Sequence, residues 1–329
     1  MGMKRLAALA CLVVLAACAS ARSEDERLAS TSQALSFTSI KPLDTVYVGS
    51  AGAISVENDY LPQVVCCENG AAPKVALEAQ AVMARTYMYF RSAADGMGTQ
   101  AKPFTGTQSD QAYFCKTAVS QACKDAVAAT KDQITAYTNA AGKRIANVSF
   151  FVDGPRPACL ANKSCSCPKP SATTPMTPQD HATCDCFAWS SNGIANPAYV
   201  TYNWARTGTD VEGSTIGSTS NESNRGCASQ NIQACLAYAG WTYPDLLRFF
   251  YGQDIELVHP DGTLVGTDTD AGVVGPSSSP DGGGGSEFLP ATSRPASDDT
   301  SGCSSTGASP GSLAPAFLAL FAAVRRRRR

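Results

Sequence analysis

The residue best suited for chemistry is Glu68, a carboxyl group at the end of an apolar run that starts at Val64. Pro73 follows five residues later and suits the first turn of a helix, where its missing N–H is not needed. Apolar residues then recur at helical spacing on two faces, which predicts a helix buried on most sides. The N-terminus of that helix favours ionised Glu68, whereas apolar surroundings favour the neutral acid. The residue types alone leave open which effect is larger.

A neutral carboxyl group in partly apolar surroundings is what glycosidic bond cleavage requires, because an acid must protonate the leaving oxygen. Ordinary glycosidases pair that acid with a second carboxylate. By residue type alone, an isolated glutamate is more often a solvated surface group, so the case for Glu68 depends on the residues around it.

The stretch around Glu68 resembles the signature of the stage II sporulation protein D family (SpoIID, also described as the SpoIID/LytB domain). The matching residues are Tyr60-Leu61, Val64-Val65, Glu68, Ala76-Leu77, Ala79-Gln80-Ala81-Val82 and Ala84-Arg85-Thr86-Tyr87. The resemblance implies a lytic transglycosylase of bacterial cell-wall glycan strands, with Glu68 as catalytic acid. A second carboxylate is not needed there, because the 6-hydroxyl of muramic acid attacks the anomeric carbon and a 1,6-anhydro sugar results. Asn69-Gly70 replaces the family's Met-Pro, and Glu78 replaces its Lys.

Two further blocks resemble the family in the same order, and they supply candidate substrate-binding residues. Gln111 and Tyr113 match the second block, and Ser229 and Gln230 match the third. The resemblance implies that these uncharged side chains hold sugar hydroxyls. The alternative is that they satisfy buried backbone groups, which the same residue types do equally well.

Arg85 lies further along the helix that follows Glu68, and a buried arginine needs a carboxylate or carbonyl partner. One interpretation is a structural ion pair with Glu78 or Asp59. The other, implied by the resemblance, is a substrate-binding role in which Arg85 shapes the site. The family's Ser-Gly-Gly loop is replaced by Asp153-Gly154, so contacts from that loop are not carried over.

The remaining elements predict an α+β fold. Residues 40–56 contain short β-rich pieces, which indicate one or two strands. Residues 122–130 have an apolar side at helical spacing, and residues 134–137 and 145–152 are predicted as two strands joined by a turn at 139–142. The expectation is a single mixed SpoIID-like domain with buried Ala-rich helices, short antiparallel strands and a disulfide-rich insertion.

The chain carries 14 cysteines, which indicates an oxidising compartment or a metal site. The insertion at residues 155–186 favours disulfides. A zinc site is the weaker alternative, with the ligands Cys165, Cys167, His181, Cys184 and Cys186.

Connectivity cannot be deduced from spacing, although Cys115 and Cys123 could close a short loop. Eleven cysteines lie between residues 66 and 235 inclusive, so one is expected to be unpaired. A nucleophilic Cys66 or Cys67 with His181 or His259 is a remote further alternative, since no cysteine-hydrolase motif surrounds them.

Both ends of the chain have the features of targeting segments. A basic start and a short apolar run predict a signal peptide, with Cys18 at a place that resembles a lipobox; cleavage after Ala19 is the alternative. Gly302-Cys303, a short apolar run and five arginines resemble the myxobacterial-type C-terminal sorting tail, with Cys303 as lipidation site. A membrane-anchoring helix with a positive-inside stop is the alternative there. The predicted organisation is a signal peptide at 1–19, a flexible lead-in at 20–36, the SpoIID-like domain at 37–260, a disordered linker at 261–302 and the tail at 303–329.

The sequence thus predicts an exported, membrane-anchored protein of the cell envelope or cell surface. A formal net charge of −2 gives no reason to expect nucleic acid as a partner. The expected partners are peptidoglycan glycan strands and a membrane, with no cofactor unless zinc is bound. The leading hypothesis is a lytic transglycosylase. The alternative is a non-catalytic SpoIID-like module that binds glycan or stimulates an amidase.

Overall fold

The computed structural model describes residues 37, 40–180, 182–188 and 197–266. The described chain opens with an antiparallel hairpin of β1 (Thr45–Val48) and β2 (Gly52–Ser55), as predicted for this region. A π-helical turn over Val56–Tyr60 follows, and it leads directly into helix α1 (Leu61–Asn69). The apolar run that ends at Glu68 is therefore itself helical.

Helix α2 (Lys74–Asp95) is the central element of the fold, and all of its residues from 76 to 91 are buried. It begins after Pro73, which lies just outside the first turn as the N-cap in extended conformation. It ends at Gly96, whose left-handed φ of 67° an L-residue adopts only with strain. The prediction of a helix buried on most sides is confirmed.

Two hydrophobic clusters cover different sides of α2. One contains Ala79 and Met83 of α2, and the other contains Leu77 and Met88. The second cluster also takes in the first hairpin, α1 and the helix α3 (Gln121–Ala129), which lies within a residue of its predicted position. Apolar surface on both sides explains why the sequence shows two apolar faces along one helix.

The predicted hairpin forms from β3 (Ile134–Thr138) and β4 (Arg144–Ala146), but its second strand is shorter than expected. The chain turns away after β4, where Asn147 donates to the hydroxyl of Ser149 at 2.9 Å and Ser149 adopts a φ of 54°. Strand β5 (Phe150–Val152) therefore leaves the hairpin and pairs elsewhere.

The C-terminal part of the domain completes two sheets. Strand β6 (Cys227–Ser229) pairs in parallel with β5, so that Val152 lies opposite Ser229. Helices α4 (Gln230–Tyr238) and α5 (Tyr243–Tyr251) follow. Strand β7 (Glu256–Val258) then pairs with β3 to give a three-stranded sheet of order β4-β3-β7.

The segment between β5 and β6 contains short 3-10 turns, at Ala158–Ala161, Asp185–Phe187, Pro197–Tyr199 and Gly208–Asp210, in its described part. Disulfides lie within it and join it to α4. The combination of helices, short antiparallel strands and clustered disulfides confirms the predicted α+β, disulfide-rich fold.

The described fold continues to residue 266, because Leu264 forms a bridge with Val258. Within the described ranges, no helix has the length and apolar character needed to span a membrane. The predicted signal peptide, lead-in, sorting tail and most of the linker lie outside the described residues, and so do the proposed lipidation sites Cys18 and Cys303.

Candidate active site

Glu68 lies in the last turn of α1 and is partly exposed. Two disulfides fix this turn, because Cys66 bonds to Cys123 of α3 and Cys67 bonds to Cys115. The residues that lead up to Glu68 are buried along one side of α1, so the carboxyl group is presented at the edge of an apolar layer.

Two donors from distant parts of the chain hold the carboxyl group. The backbone N–H of Ala112 donates to Oε1 at 2.7 Å, and the side-chain amide of Gln230 donates to Oε2 at 3.2 Å. Each carboxyl oxygen therefore has one donor, and the orientation of Glu68 is fixed by groups on two different loops or helix ends.

The pKa of Glu68 is raised above its ordinary value, and burial of the carboxyl group is the main cause. The hydrogen bonds from Ala112 and Gln230 lower the pKa, and the charge of Asp153 raises it. Of the influences on Glu68, burial in apolar surroundings is the largest, and it favours the protonated acid over the carboxylate.

Asp153 lies beside this site, although the sequence identifies it only as a departure from the family's Ser-Gly-Gly loop and not as a site residue. It follows β5 directly, and because Val152 lies opposite Ser229, Asp153 and Gln230 leave the parallel pair side by side. The backbone oxygen of Asp153 accepts hydrogen bonds from the Ser229 hydroxyl at 3.0 Å and from the N–H of Asn231 at 3.1 Å. Its side chain is exposed. An acidic residue directly after a strand, in place of the family's Ser, is the signal that could have drawn attention to it.

Gln80 of α2 is a second residue that was not singled out, although it stands inside the motif around Glu68. The Gln230 amide that contacts Glu68 also lies 3.4 Å from Oε1 of Gln80. Gln80 is fully buried. The site therefore extends from the carboxyl group of Glu68 through Gln230 into the central helix.

Gln111 and Tyr113 flank the Ala112 backbone N–H that binds Glu68. Gln111 is buried, accepts a hydrogen bond from the Tyr60 hydroxyl at 2.9 Å and donates to the Ala84 carbonyl at 3.0 Å. Tyr113 is partly exposed and stacks on Tyr60 with 5.9 Å between the ring centroids. These contacts hold the backbone of this loop, and through it the donor to Glu68.

Ser229 is fully buried and caps helix α4. Its hydroxyl accepts a hydrogen bond from the Ile232 N–H at 3.2 Å and donates to the Asp153 carbonyl. Both contacts are with backbone, so this hydroxyl serves the junction of β5, β6 and α4 that brings Gln230 to Glu68.

Arg85 is fully buried and forms a two-pronged ion pair with Glu57, at 2.7 and 2.8 Å. Its guanidinium also donates to the carbonyls of Gln133 and Val127. The suggested partners Glu78 and Asp59 were wrong, because the carboxylate that pairs with Arg85 is that of Glu57, and Glu78 pairs with Lys74. None of the three groups that accept hydrogen bonds from Arg85 is hydrogen-bonded to Glu68, so the structure does not bring Arg85 to the carboxyl group.

Ten of the eleven cysteines between residues 66 and 235 form five disulfides, and the one left over is the buried Cys227. The expectation of one unpaired cysteine is confirmed. The Cys115–Cys123 link that the spacing allowed does not form, because each of these residues pairs with a cysteine of α1. A nucleophilic Cys66 or Cys67 is also excluded in this state, since both sulfurs are consumed in disulfides.

The alternative zinc ligands are also engaged in disulfides. Cys165 pairs with Cys159, Cys167 with Cys184 and Cys186 with Cys235. The six sulfurs form two groups of three, each within 4.8 Å of one another. Zinc needs thiolates, which this oxidised arrangement does not offer, so the residues do not fit a bound zinc ion here. His181 lies outside the described residues.

A cavity of about 870 Å³ lies away from Glu68, beside the other end of α1. Its walls include Glu57, Pro62, Tyr89, Lys124 and His259. Glu68 does not line this cavity, so the carboxyl group and the cavity are separate features of the domain.

The segment that contains Glu68 matches a known protein family. Residues 51–137 match the model of the SpoIID family, described as stage II sporulation protein. This match supports the SpoIID family, which is associated with the cell envelope, and indicates a cell-wall-related role. It covers Glu68, Gln80 and Ala112, whereas Asp153 and Gln230 lie beyond it. No curated protein matches the chain.

Proposed function

We propose that this chain is a peptidoglycan lytic transglycosylase in which Glu68 is the catalytic acid and base. The proposal starts from the match of residues 51–137 to the SpoIID family. The observation that carries the proposal is the raised pKa of a partly exposed Glu68 held by two donors. A carboxyl group with a raised pKa keeps its proton to higher pH, and the protonated acid can donate that proton to a leaving oxygen.

The reaction needs one proton to leave Glu68 and one to return. Protonated Glu68 gives its proton to the glycosidic oxygen while the bond to the anomeric carbon of the muramic acid breaks. The 6-hydroxyl of the same sugar then bonds to that carbon, and its proton passes to the Glu68 carboxylate. The products are a strand with a 1,6-anhydromuramyl end and a strand with a free hydroxyl, and no water is consumed.

The two hydrogen bonds to Glu68 suit this cycle. Burial favours the acid form that begins the reaction, whereas the donors from Ala112 and Gln230 stabilise the carboxylate that exists between the two proton transfers. The carboxyl group is therefore not trapped in either state. Acid catalysis is most efficient when the pKa of the acid lies near the working pH, and burial moves the pKa of Glu68 upward, in that direction.

The other candidate residues divide into two groups under this proposal. Tyr113 has an exposed part of its ring, so it contacts the glycan. Gln230 is buried and acts through its hydrogen bond to Glu68. Gln111, Ser229 and Arg85 act indirectly, because their polar groups are engaged with backbone or with Glu57.

The proposal includes export to the cell envelope. A signal peptide, lipid on Cys18 or Cys303 and a processed C-terminal tail would keep the domain close to its polymeric substrate, and the Gly- and Ser-rich linker would give it reach. One acyl chain binds a membrane only weakly, so stable anchoring requires a second signal.

A non-catalytic SpoIID-like module is the second candidate, and one observation favours it. The cavity of about 870 Å³ is offered by residues on the far end of α1, and Glu68 is not among them. A module that binds glycan or stimulates an amidase would use such a surface and would not need the acid.

The test is incubation of the purified full chain with peptide-free glycan strands, followed by mass spectrometry of the products. We expect 1,6-anhydromuramyl ends from the native chain and none from Glu68→Gln, which keeps the shape but cannot deliver the proton. Glu222→Gln is the matched control, because Glu222 is an exposed acid whose contact is with Asn139. Strand binding without cleavage would support the second candidate, and reducing-end products would point to a hydrolase.

A further inference from the structure

We propose that Gln80 is a positioning residue that fixes the side-chain amide of Gln230 with its N–H groups turned toward Glu68. The inference rests on the proposed function of Glu68. It adds Gln80, on a different helix, as the residue that determines whether the Gln230 amide presents its N–H or its oxygen to the Glu68 carboxyl group.

The geometry assigns both hydrogens of one amide nitrogen. Nε2 of Gln230 lies 3.2 Å from Oε2 of Glu68 and 3.4 Å from Oε1 of Gln80. An amide nitrogen carries two hydrogens, so one is directed at each oxygen. If the Gln230 amide turned over, its oxygen would face the oxygens of Glu68 and Gln80. Gln80 therefore opposes the turned orientation without touching Glu68.

The orientation of Gln80 itself carries a cost, which supports a specific role. Nε2 of Gln80 has no hydrogen-bond partner among the described residues, and the residue is fully buried. Leaving a buried donor unpaired is unfavourable. Turning the Gln80 amide over would not relieve it, because its N–H groups would then face those of Gln230. The arrangement in which Gln230 donates to Glu68 therefore leaves the buried Nε2 of Gln80 unpaired.

The consequence for Glu68 has a definite sign. The hydrogen bond from Gln230 lowers the pKa of Glu68, in opposition to burial. Without Gln80, the Gln230 amide can turn and offer its oxygen, which accepts a hydrogen bond from the protonated acid and repels the carboxylate. Loss of Gln80 therefore raises the pKa of Glu68. Since the acid form begins the reaction, the alkaline limb of the activity profile moves to higher pH.

The test is the titration of Glu68, followed by carboxyl-carbon NMR and assigned from the signal missing in Glu68→Gln. In Gln80→Met we expect the midpoint to rise by about one pH unit, the size expected for loss of one hydrogen bond to a charged group. Gln80→Asn should shift it in the same direction, because its shorter amide cannot reach Gln230, and it serves if the Met variant does not fold. Gln233→Met is the matched control, since Gln233 is equally buried on α4 and its side-chain amide lies against the sulfur of Met83.

A double-mutant cycle decides whether Gln80 acts through Gln230. In a Gln230→Met background, Gln80→Met should cause no further shift. An unchanged midpoint in both Gln80 variants, or a shift that persists in that background, would overturn the inference. The titration does not depend on glycan cleavage, so it tests Gln80 even if the chain proves inactive. In an active chain, the alkaline limb must move together with the midpoint.

Discussion

The helices around Glu68 and the irregular segment from residue 153 to 226 are both cross-linked, yet they are ordered by different means. Helices α1, α2 and α3 share a continuous buried apolar cluster. The irregular segment has short 3-10 turns in its described part, and its apolar residues reach the core beside three disulfides. In the first region disulfides reinforce an existing core, whereas in the second they supply much of the constraint.

Two disulfides, one in each region, close loops of similar length and allow the two regions to be compared directly. Cys66–Cys123 and Cys186–Cys235 span 57 and 49 residues and consist of buried cysteines. A bridge restricts the unfolded chain according to the length of its loop, so the two are nearly equal in that respect. Any difference between them must arise from what else orders each region.

The site draws on both regions. Glu68 and Gln80 belong to the helices. Asp153 begins the irregular segment, and Gln230 begins α4, directly after the strand β6 that follows the segment. Order in that segment therefore influences the position of Gln230, which donates to Glu68, although the proton donated in the proposed reaction comes from Glu68 on α1.

The largest expected effect is from removal of the Cys186–Cys235 bridge by the double substitution to Ala. Loop-closure entropy alone predicts a loss of about 4 kcal/mol in the free energy of unfolding. We also expect amide protection in residues 153–226 to fall toward that of an unfolded chain, because 3-10 turns have few internal hydrogen bonds. Hydrogen exchange with mass spectrometry measures both effects.

The matched double substitution of Cys66 and Cys123 is the control. It should cost a similar free energy of unfolding while amide protection in α1, α2 and α3 persists, because their apolar cluster remains. Equal local loss of protection in the two variants would contradict the distinction between the regions.

The next effect concerns the buried ion pair of the helical region. Glu57→Leu leaves the fully buried guanidinium of Arg85 without its carboxylate, which should cost about 3 kcal/mol in the free energy of unfolding. Arg85→Met should cost less, because the Glu57 side chain is 20% exposed and can be hydrated. Chemical denaturation checks the order.

Activity per folded molecule separates the two interpretations of Arg85. If Arg85 is structural, folded Arg85→Met cleaves glycan strands at the native rate. A folded variant with a rate reduced tenfold or more would return Arg85 to the site. Glu222→Gln again provides the surface control.

The sequence predicted the helical region better than the irregular one, for a physical reason. Periodic apolar residues indicate a buried helix, and Pro73 marks its start within one residue. Glu68 was found because it stands inside a long motif. Asp153 was not, because its relation to Glu68 depends on the parallel pairing of β5 with β6, between segments more than 70 residues apart. Disulfide pairing depends on the same long-range geometry, which is why the spacing of Cys115 and Cys123 did not reveal that both pair with α1.

A third prediction uses the raised pKa of Glu68 as a stability measurement. Because the folded state holds this proton more tightly than the unfolded state, native stability falls as the pH rises from the ordinary pKa of glutamate toward the raised one. Glu68→Gln has no such titration. The difference in free energy of unfolding, native minus variant, should therefore decrease across that window and stay constant above it. Denaturant melts at a series of pH values check the trend, and a difference that grows with pH would contradict the raised pKa.

The smallest effect is expected from Asp153→Asn. The negative charge of Asp153 is among the causes that raise the pKa of Glu68, and the side chain is exposed. Its removal should move the midpoint of Glu68, and the alkaline limb of activity, to lower pH, opposite in sign to Gln80→Met and smaller in size. Salt separates the two effects: because the Asp153 carboxylate is exposed, about 1 M salt should reduce the Asp153 shift, while the buried Gln80 contact is screened much less. Asp210→Asn, an exposed acid of the irregular segment, controls for general charge effects. A salt-resistant Asp153 shift would mean that Asp153 meets Glu68 by direct contact, and the irregular segment would then contribute an acid to the site.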